Sequence, residues 1–201
     1  MIIRAFSREN MIFNPKNTGS ILLYDGVTGH ARLGQNPIRE MDHFDFSSGH
    51  YMGYLAYPNP TLQNDIPAMR FFEYEKIEEV ENFDIGEKAR MIIRAFSTSG
   101  ELEQSVSKAE YLQKIAEIKE LLAAGEIYQL NYAIRFRKAF SGDPFALYQK
   151  LCEVNPAAFS AFVNAGDFQI ISLSPERLFK VKEGVITTQP IKGLLRSPIT
   201  N

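Results

Sequence analysis

Two side chains late in this 201-residue sequence stand where a charged group is informative. Lys192 lies between Ile191 and Gly193 in "TTQPIKGLL", at the end of an apolar, β-branched run. A lysine amine attacks carbon only when neutral, and an apolar strand end disfavours the ammonium form. Glu176, in "SLSPERLF", sits at a Ser-Pro break between two apolar runs. A carboxyl in an apolar setting holds its proton more tightly and can donate it near neutral pH. Taken alone, each has a plainer reading: a solvated turn lysine, and a surface glutamate paired with Arg177.

Other chemistry-bearing residues point less far. His30, His43 and His50 lack metal-ligand spacing with a second His or Cys, so no zinc site is predicted. No GxxxxGK[ST] or GxGxxG phosphate loop is present. A net charge of -2, with no basic stripe, lacks the footprint of a nucleic-acid binder. No run of 18 apolar residues predicts a membrane helix, and "MIIRAFSREN" does not read as a signal peptide, so neither membrane nor nucleic acid is an expected partner. The single cysteine, Cys152, cannot form an internal disulfide and fits a cytoplasmic protein, as a small buried hydrophobe.

The elements that must position Lys192 and Glu176 read as an α/β (α+β) chain with mixed, largely antiparallel sheet. Short strands are expected in "MIIRAFS", "GSILLYDG", "GHARLG", "GHYMGYLAYP", "AMRFFEYEKIEEVENF" and "KARMIIRAFST". In "GHYMGYLAYP", Gly49 and Gly53 among aromatics predict a strand closely approached by a neighbouring backbone. "YPNPTLQNDIP" is expected to be a loop. The heptapeptide "MIIRAFS" occurs identically at 1–7 and 91–97, and no physical account of the repeat follows from the sequence.

A helix is predicted over 108–124, with Ser107 and Glu110 as a capping box and Gly125 as C-cap. Tyr111, Ile115, Ile118 and Leu122 form its apolar face. "EIYQLNYAIRFRKAF" has period two and predicts a long, central, packed strand, with Gln129 and Asn131 as buried polar ties and Arg135 and Arg137 solvated. A second helix is predicted over 144–154, with Asp143 as N-cap. A meander follows: "FSAFVN", "FQIISLS", "RLFKV" and "VITTQPI". The whole is expected to be the N-terminal portion of one domain, 1–106 mainly strands and 107–201 carrying the site motifs.

In that order and approximate spacing, "GEIYQLNY", "NPAAFSAF", "SLSPERLF" and "TTQPIKG" resemble the chorismate-utilising enzyme family, nearest to its aminodeoxychorismate synthases of the 4-aminobenzoate branch of folate synthesis. "GHYMGYLAYP" and "MRFFEYEKI" are weaker echoes. The resemblance implies a partial anthranilate-synthase-like fold. It also implies that Lys192, where anthranilate synthases usually carry alanine, attacks chorismate at C2, with Glu176 as general acid. Gly193 and Leu194 would line the substrate site, with Gly193 leaving room for a planar ring. Phe159 and Ser160 match a candidate effector pocket, the tryptophan pocket of some relatives. The Leu-Leu-Glu-Ser element of that pocket is replaced here by "ILLYDG", which argues against bound tryptophan.

The resemblance further implies Mg²⁺ as cofactor and a glutamine amidotransferase as partner and ammonia source. The family's metal-binding glutamates, catalytic histidine and glycine-rich loop are expected beyond Asn201, so no metal ligand is expected within the sequence and the chain is expected to be inactive alone. Leu194 stands where the family has threonine, an expected loss in chorismate affinity of about 1–3 kcal/mol if a buried partner is left unpaired. The alternatives are an anthranilate synthase-like enzyme, against which Lys192 argues, or a non-catalytic remnant that binds an amidotransferase.

Overall fold

In strand β1 (Ile21–Tyr24) the adjacent residues Ile21 and Leu22 are both fully buried. Neighbouring strand residues point to opposite faces, so β1 must be covered on both sides. The same is true of β9 (Phe159–Asn164), where Phe162 and Val163 are both buried. The two strands pair antiparallel with Leu22 opposite Phe162 and Ile21 opposite Val163. These relationships come from a computed structural model that describes residues 14–43, 49–56, 67–85, 96–182 and 185–189. The chain divides into two units, Met1–Ile93 with Pro144–Asn201, and Arg94–Asp143.

The first unit is layered. Its five-stranded sheet runs in the order β10 (Gln169–Ser174), β9, β1, β2 (Ala31–Gly34), β6 (Glu78–Val80). On one face Leu22, Ala31, Leu33 and Phe162 pack with Tyr148 and Cys152 of helix α2 (Pro144–Val154). On the other face Ile21 and Val163 pack with Met52, Phe72 and Tyr74. Those three belong to a second sheet, β3 (Arg39–Met41), β5 (Met69–Tyr74), β4 (His50–Leu55). Aromatic residues that bury large apolar areas thus sit on both sides of one sheet. A hairpin of β11 (Arg177–Lys182) and β12 (Val185–Gln189) follows β10.

Two details tie the layers together. Gly53 of β4 lies opposite Phe71, and a Cβ there would collide with the Arg70 carbonyl oxygen and come within 2.7 Å of Phe71 Cα. The close backbone approach expected at this glycine is present. Arg70 of β5 reaches the β9–β10 turn, donating to the Ala165 carbonyl and to Asp167 at 2.6 Å each, with Glu40 3.1 Å from its Nε. Its guanidinium also lies 5.2 Å from the Phe168 ring centroid. Hydrogen bonding by Asp167 raises the pKa of Arg70 and lowers that of Asp167.

In the second unit, α1 (Lys108–Ala123) begins at the expected capping box, with Ser107 accepting from the Glu110 amide and Glu110 accepting from the Ser107 amide. It ends in a Schellman motif: Gly125 at φ +75° donates to Leu122, and the Glu126 amide donates to Leu121. Strand β7 (Phe96–Gln104) pairs with β8 (Phe136–Gly142) around a bulge between Ser99 and Glu103.

Here the sequence expectation needs correction. The long central strand is not formed over 126–135; ladder pairing starts at Phe136, and β8 is exposed throughout. Gln129 and Asn131 are exposed rather than buried ties. The reason is the partner: Gln104 pairs with Phe136, Ser105 bonds Arg135, and then Ser107 turns the chain into a helix. Upstream of Arg135 the ladder partner has ended, so period two alone could not make a strand there. Strand β3 was not anticipated. The first "MIIRAFS" and residues 91–95 of the second lie outside the described residues, whereas Phe96 and Ser97 open β7.

Candidate functional site

Of the candidate residues, Lys192, Gly193 and Leu194 lie outside the described residues. Glu176, Phe159 and Ser160 are described, and the first unit brings them to one edge of its main sheet. Pairing of β9 with β10 sets Phe159 opposite Ser174 and Ser160 opposite Leu173. Pro175 then interrupts the strand, and Glu176 occupies the corner before β11, half-buried. The Ser174 hydroxyl spans this corner, donating to the Glu176 carbonyl at 2.9 Å and accepting from the Glu176 amide at 3.3 Å.

Next in sequence, Arg177 folds back over β9, its guanidinium 4.7 Å from the Phe159 ring centroid. Leu23, Tyr24, Asp25, Arg32, Phe159 and Arg177 surround an open cavity of about 570 Å³, with Ser160 also in its wall. That volume falls within the range of small-molecule sites, roughly 300–1,000 Å³. Arg32 pairs with Glu79 at 3.0 Å. Burial pushes the Asp25 carboxyl up, but hydrogen bonds from Thr28 and Val27 and the proximity of His30 outweigh it and leave its pKa lowered. One ionised carboxylate, two guanidinium groups and aromatic walls therefore share the cavity.

Behind the wall, Ser160 is 2% exposed and its hydroxyl donates to the Tyr24 carbonyl at 2.7 Å. The Tyr148 hydroxyl lies 3.0 Å from Ser160 Oγ and Cys152 Sγ 3.9 Å from it. Burial raises the pKa of Tyr24, Tyr148 and Cys152. Cys152 is 4% exposed with a thiol held protonated by burial, as expected of a core cysteine.

The sequence reading missed Tyr24, Asp25 and Arg32 as cavity residues, because they arrive through β1–β9 pairing across more than a hundred residues. The stacking of Arg177 on Phe159 was likewise not read from the sequence. Among the described residues, no three His, Cys, Asp or Glu side chains are grouped closely enough to hold a metal ion, so these residues do not fit a magnesium site. No helix among the described residues is long and apolar enough to cross a membrane.

Residues 30–197 match the chorismate binding enzyme family. The chain belongs to that family. It is 36% identical over 104 residues to aminodeoxychorismate synthase component 1 of Klebsiella aerogenes, covering 52% of this chain and 23% of that protein. It is 33% identical over 110 residues to anthranilate synthase component 1 of Cereibacter sphaeroides, covering 55% of this chain and 20% of that protein. The chain thus spans between a fifth and a quarter of the length of these relatives. The crystal structure of anthranilate synthase component I from Streptococcus pneumoniae TIGR4 superposes with a TM-score of 0.52 at 20% identity, over 86% of this chain and 52% of that one. That likeness carries the fold, a partial α/β architecture of mixed antiparallel sheets, as expected.

Proposed function

We propose that this chain is part of an enzyme that converts chorismate and ammonia to 4-amino-4-deoxychorismate and water. The observation that carries the reading is Lys192 in "QPIKG", within a chain of the chorismate binding family. Neutral Lys192 adds to C2 of chorismate, the ring double bonds shift, and the C4 hydroxyl departs as water with the proton that Glu176 supplies. Ammonia then adds at C4, the ammonium so formed returns a proton to Glu176, and the lysine amine is expelled from C2, which returns the nucleophile and balances the equation. Gly193 and Leu194 line the substrate site, and Leu194 offers no hydroxyl to it. Phe159 and Ser160, in the wall of the cavity that Arg177 also lines, are the candidate effector pocket.

Ammonia would come from a glutamine amidotransferase partner, and a reducing cytoplasm suits the free Cys152. Magnesium would neutralise carboxylate charge on chorismate when bound. The 4-aminobenzoate route to folate is the setting that this product implies.

The test is Lys192→Ala in the complete protein. Amination with glutamine-derived ammonia should be abolished, and unchanged turnover removes the nucleophile assignment. Product mass separates this reading from the second, an anthranilate synthase-like enzyme, which the 33% identity to such a protein favours. Co-purification with an amidotransferase but no calorimetric binding of chorismate would instead favour a non-catalytic binding role.

A further inference from the structure

The Ser-Pro-Glu corner has an unusual local economy of hydrogen bonds. Pro175 has no N–H, so the β10 ladder cannot continue through it. One hydroxyl, that of Ser174, meets both backbone polar groups of Glu176. A single rotor that donates to the carbonyl and accepts from the amide restrains rotation on both sides of the Glu176 Cα. Ser174 is itself fixed by its register with Phe159. The residue on the other side, Arg177, stacks on that same Phe159 ring. Glu176 is thus held between two neighbours that are both anchored to one residue of β9.

We propose that Ser174 is the positioning residue for Glu176, its hydroxyl fixing the corner in the orientation from which the carboxyl delivers its proton. The inference rests on the reading of Glu176 as the general acid. A glutamate has three side-chain torsions, and proton delivery demands hydrogen-bond geometry at the leaving oxygen. A backbone that swings at the Cα moves the carboxyl by more than that geometry tolerates. Substrate binding, by contrast, does not pass through the hydroxyl.

The experiment is steady-state kinetics of chorismate amination by the complete protein, with ammonia supplied directly. Four variants are compared: Ser174→Ala, Ser174→Thr, Glu176→Gln and the double variant Ser174→Ala with Glu176→Gln. Ser174→Ala should lower kcat about ten- to a hundredfold, the scale of an ångström-size misplacement, with KM within about twofold. Ser174→Thr keeps both hydrogen-bonding roles and should restore most of kcat. In the Glu176→Gln background the alanine change should add no further loss, because the group it positions is gone. Equal losses in both backgrounds, failure of the threonine rescue, or a rise in KM alone would each show a merely structural serine and overturn the positioning role. Wild-type kcat in Glu176→Gln overturns the general-acid reading and this inference with it; a large loss there with unaltered Ser174→Ala overturns the inference alone. Amide exchange at Glu176, faster in Ser174→Ala and restored in Ser174→Thr, checks the corner independently of turnover.

Discussion

The hydroxyls of Tyr148 and Ser160 lie 3.0 Å apart in the core, one on α2 and the other on β9. Ser160 also donates to the Tyr24 carbonyl, so it joins β1, β9 and α2 behind the cavity wall. The two partners are not equivalent. Tyr148→Phe removes one bond and leaves Ser160 its carbonyl acceptor, a loss of about 1 kcal/mol. Ser160→Ala strands a buried tyrosine hydroxyl as well as losing the carbonyl bond, a loss of about 1–3 kcal/mol. Urea unfolding of the two variants should place Ser160→Ala lower. The reverse order would mean that the tyrosine hydroxyl finds another partner.

Alkaline stability should be limited by two buried tyrosines. Burial raises the pKa of Tyr148, and of Tyr74, whose hydroxyl donates to the Gly19 carbonyl at 2.6 Å. In the unfolded chain a tyrosine titrates near pH 10. The native state therefore holds these two protons more tightly. Their contribution is fully present below about pH 10 and is lost as the pH rises from there towards the native values. Tyrosinate absorbance and circular dichroism followed together should show the last tyrosines ionising only as structure is lost. Complete ionisation near pH 10 with native dichroism intact would contradict their burial.

Legibility followed the range of the forces involved. The α1 cap at Ser107 and Glu110, the α2 limits and the β9 and β10 spans depend on residues within a few positions, and the sequence pattern finds them. The stretch 126–135 has equally clear alternation, yet a strand also needs a partner, and Ser107 ends the partner early. Glu176 was legible as a candidate from its motif and the break at Pro175. Its company was not: Ser174 Oγ reaches back locally, but the Arg177–Phe159 stack and the Tyr24 wall depend on strand register set far along the chain.

Gly53 is required by space and Gly29 by backbone angle, and the two should respond differently to alanine. At Gly53 a Cβ meets the Arg70 carbonyl and Phe71 Cα, which are backbone atoms of a paired strand and cannot step aside. Overpacking of this kind costs about 1–3 kcal/mol. At Gly29, φ is +73° and the nearest neighbour to a Cβ is Asn82 Cα at 3.6 Å, an ordinary contact. Only the left-handed backbone is strained there, by about 1 kcal/mol. Thermal unfolding should rank Gly53→Ala as the more destabilised variant, with β4–β5 amides losing exchange protection first. Equal shifts would mean that β4 can move off β5 at little cost.

Helix α1 should depend on its ends, because no residue of it is fully buried. Its apolar face, Tyr111, Ile115 and Ile118, is only half-buried, so local terms weigh heavily in whether the helix forms. Ser107→Ala removes the oxygen that accepts from the Glu110 amide, a loss of about 1 kcal/mol. Gly125→Ala keeps both Schellman bonds only by holding alanine at a left-handed φ, a strain of about 1 kcal/mol. Amide exchange across Lys108–Ala123 should quicken by roughly fivefold in each variant, as a penalty of this size implies, while the amides of β9 and β10 keep their rates. A loss that reached β9 and β10 as well would show that α1 folds only together with the first unit, and that its caps are not what sustains it.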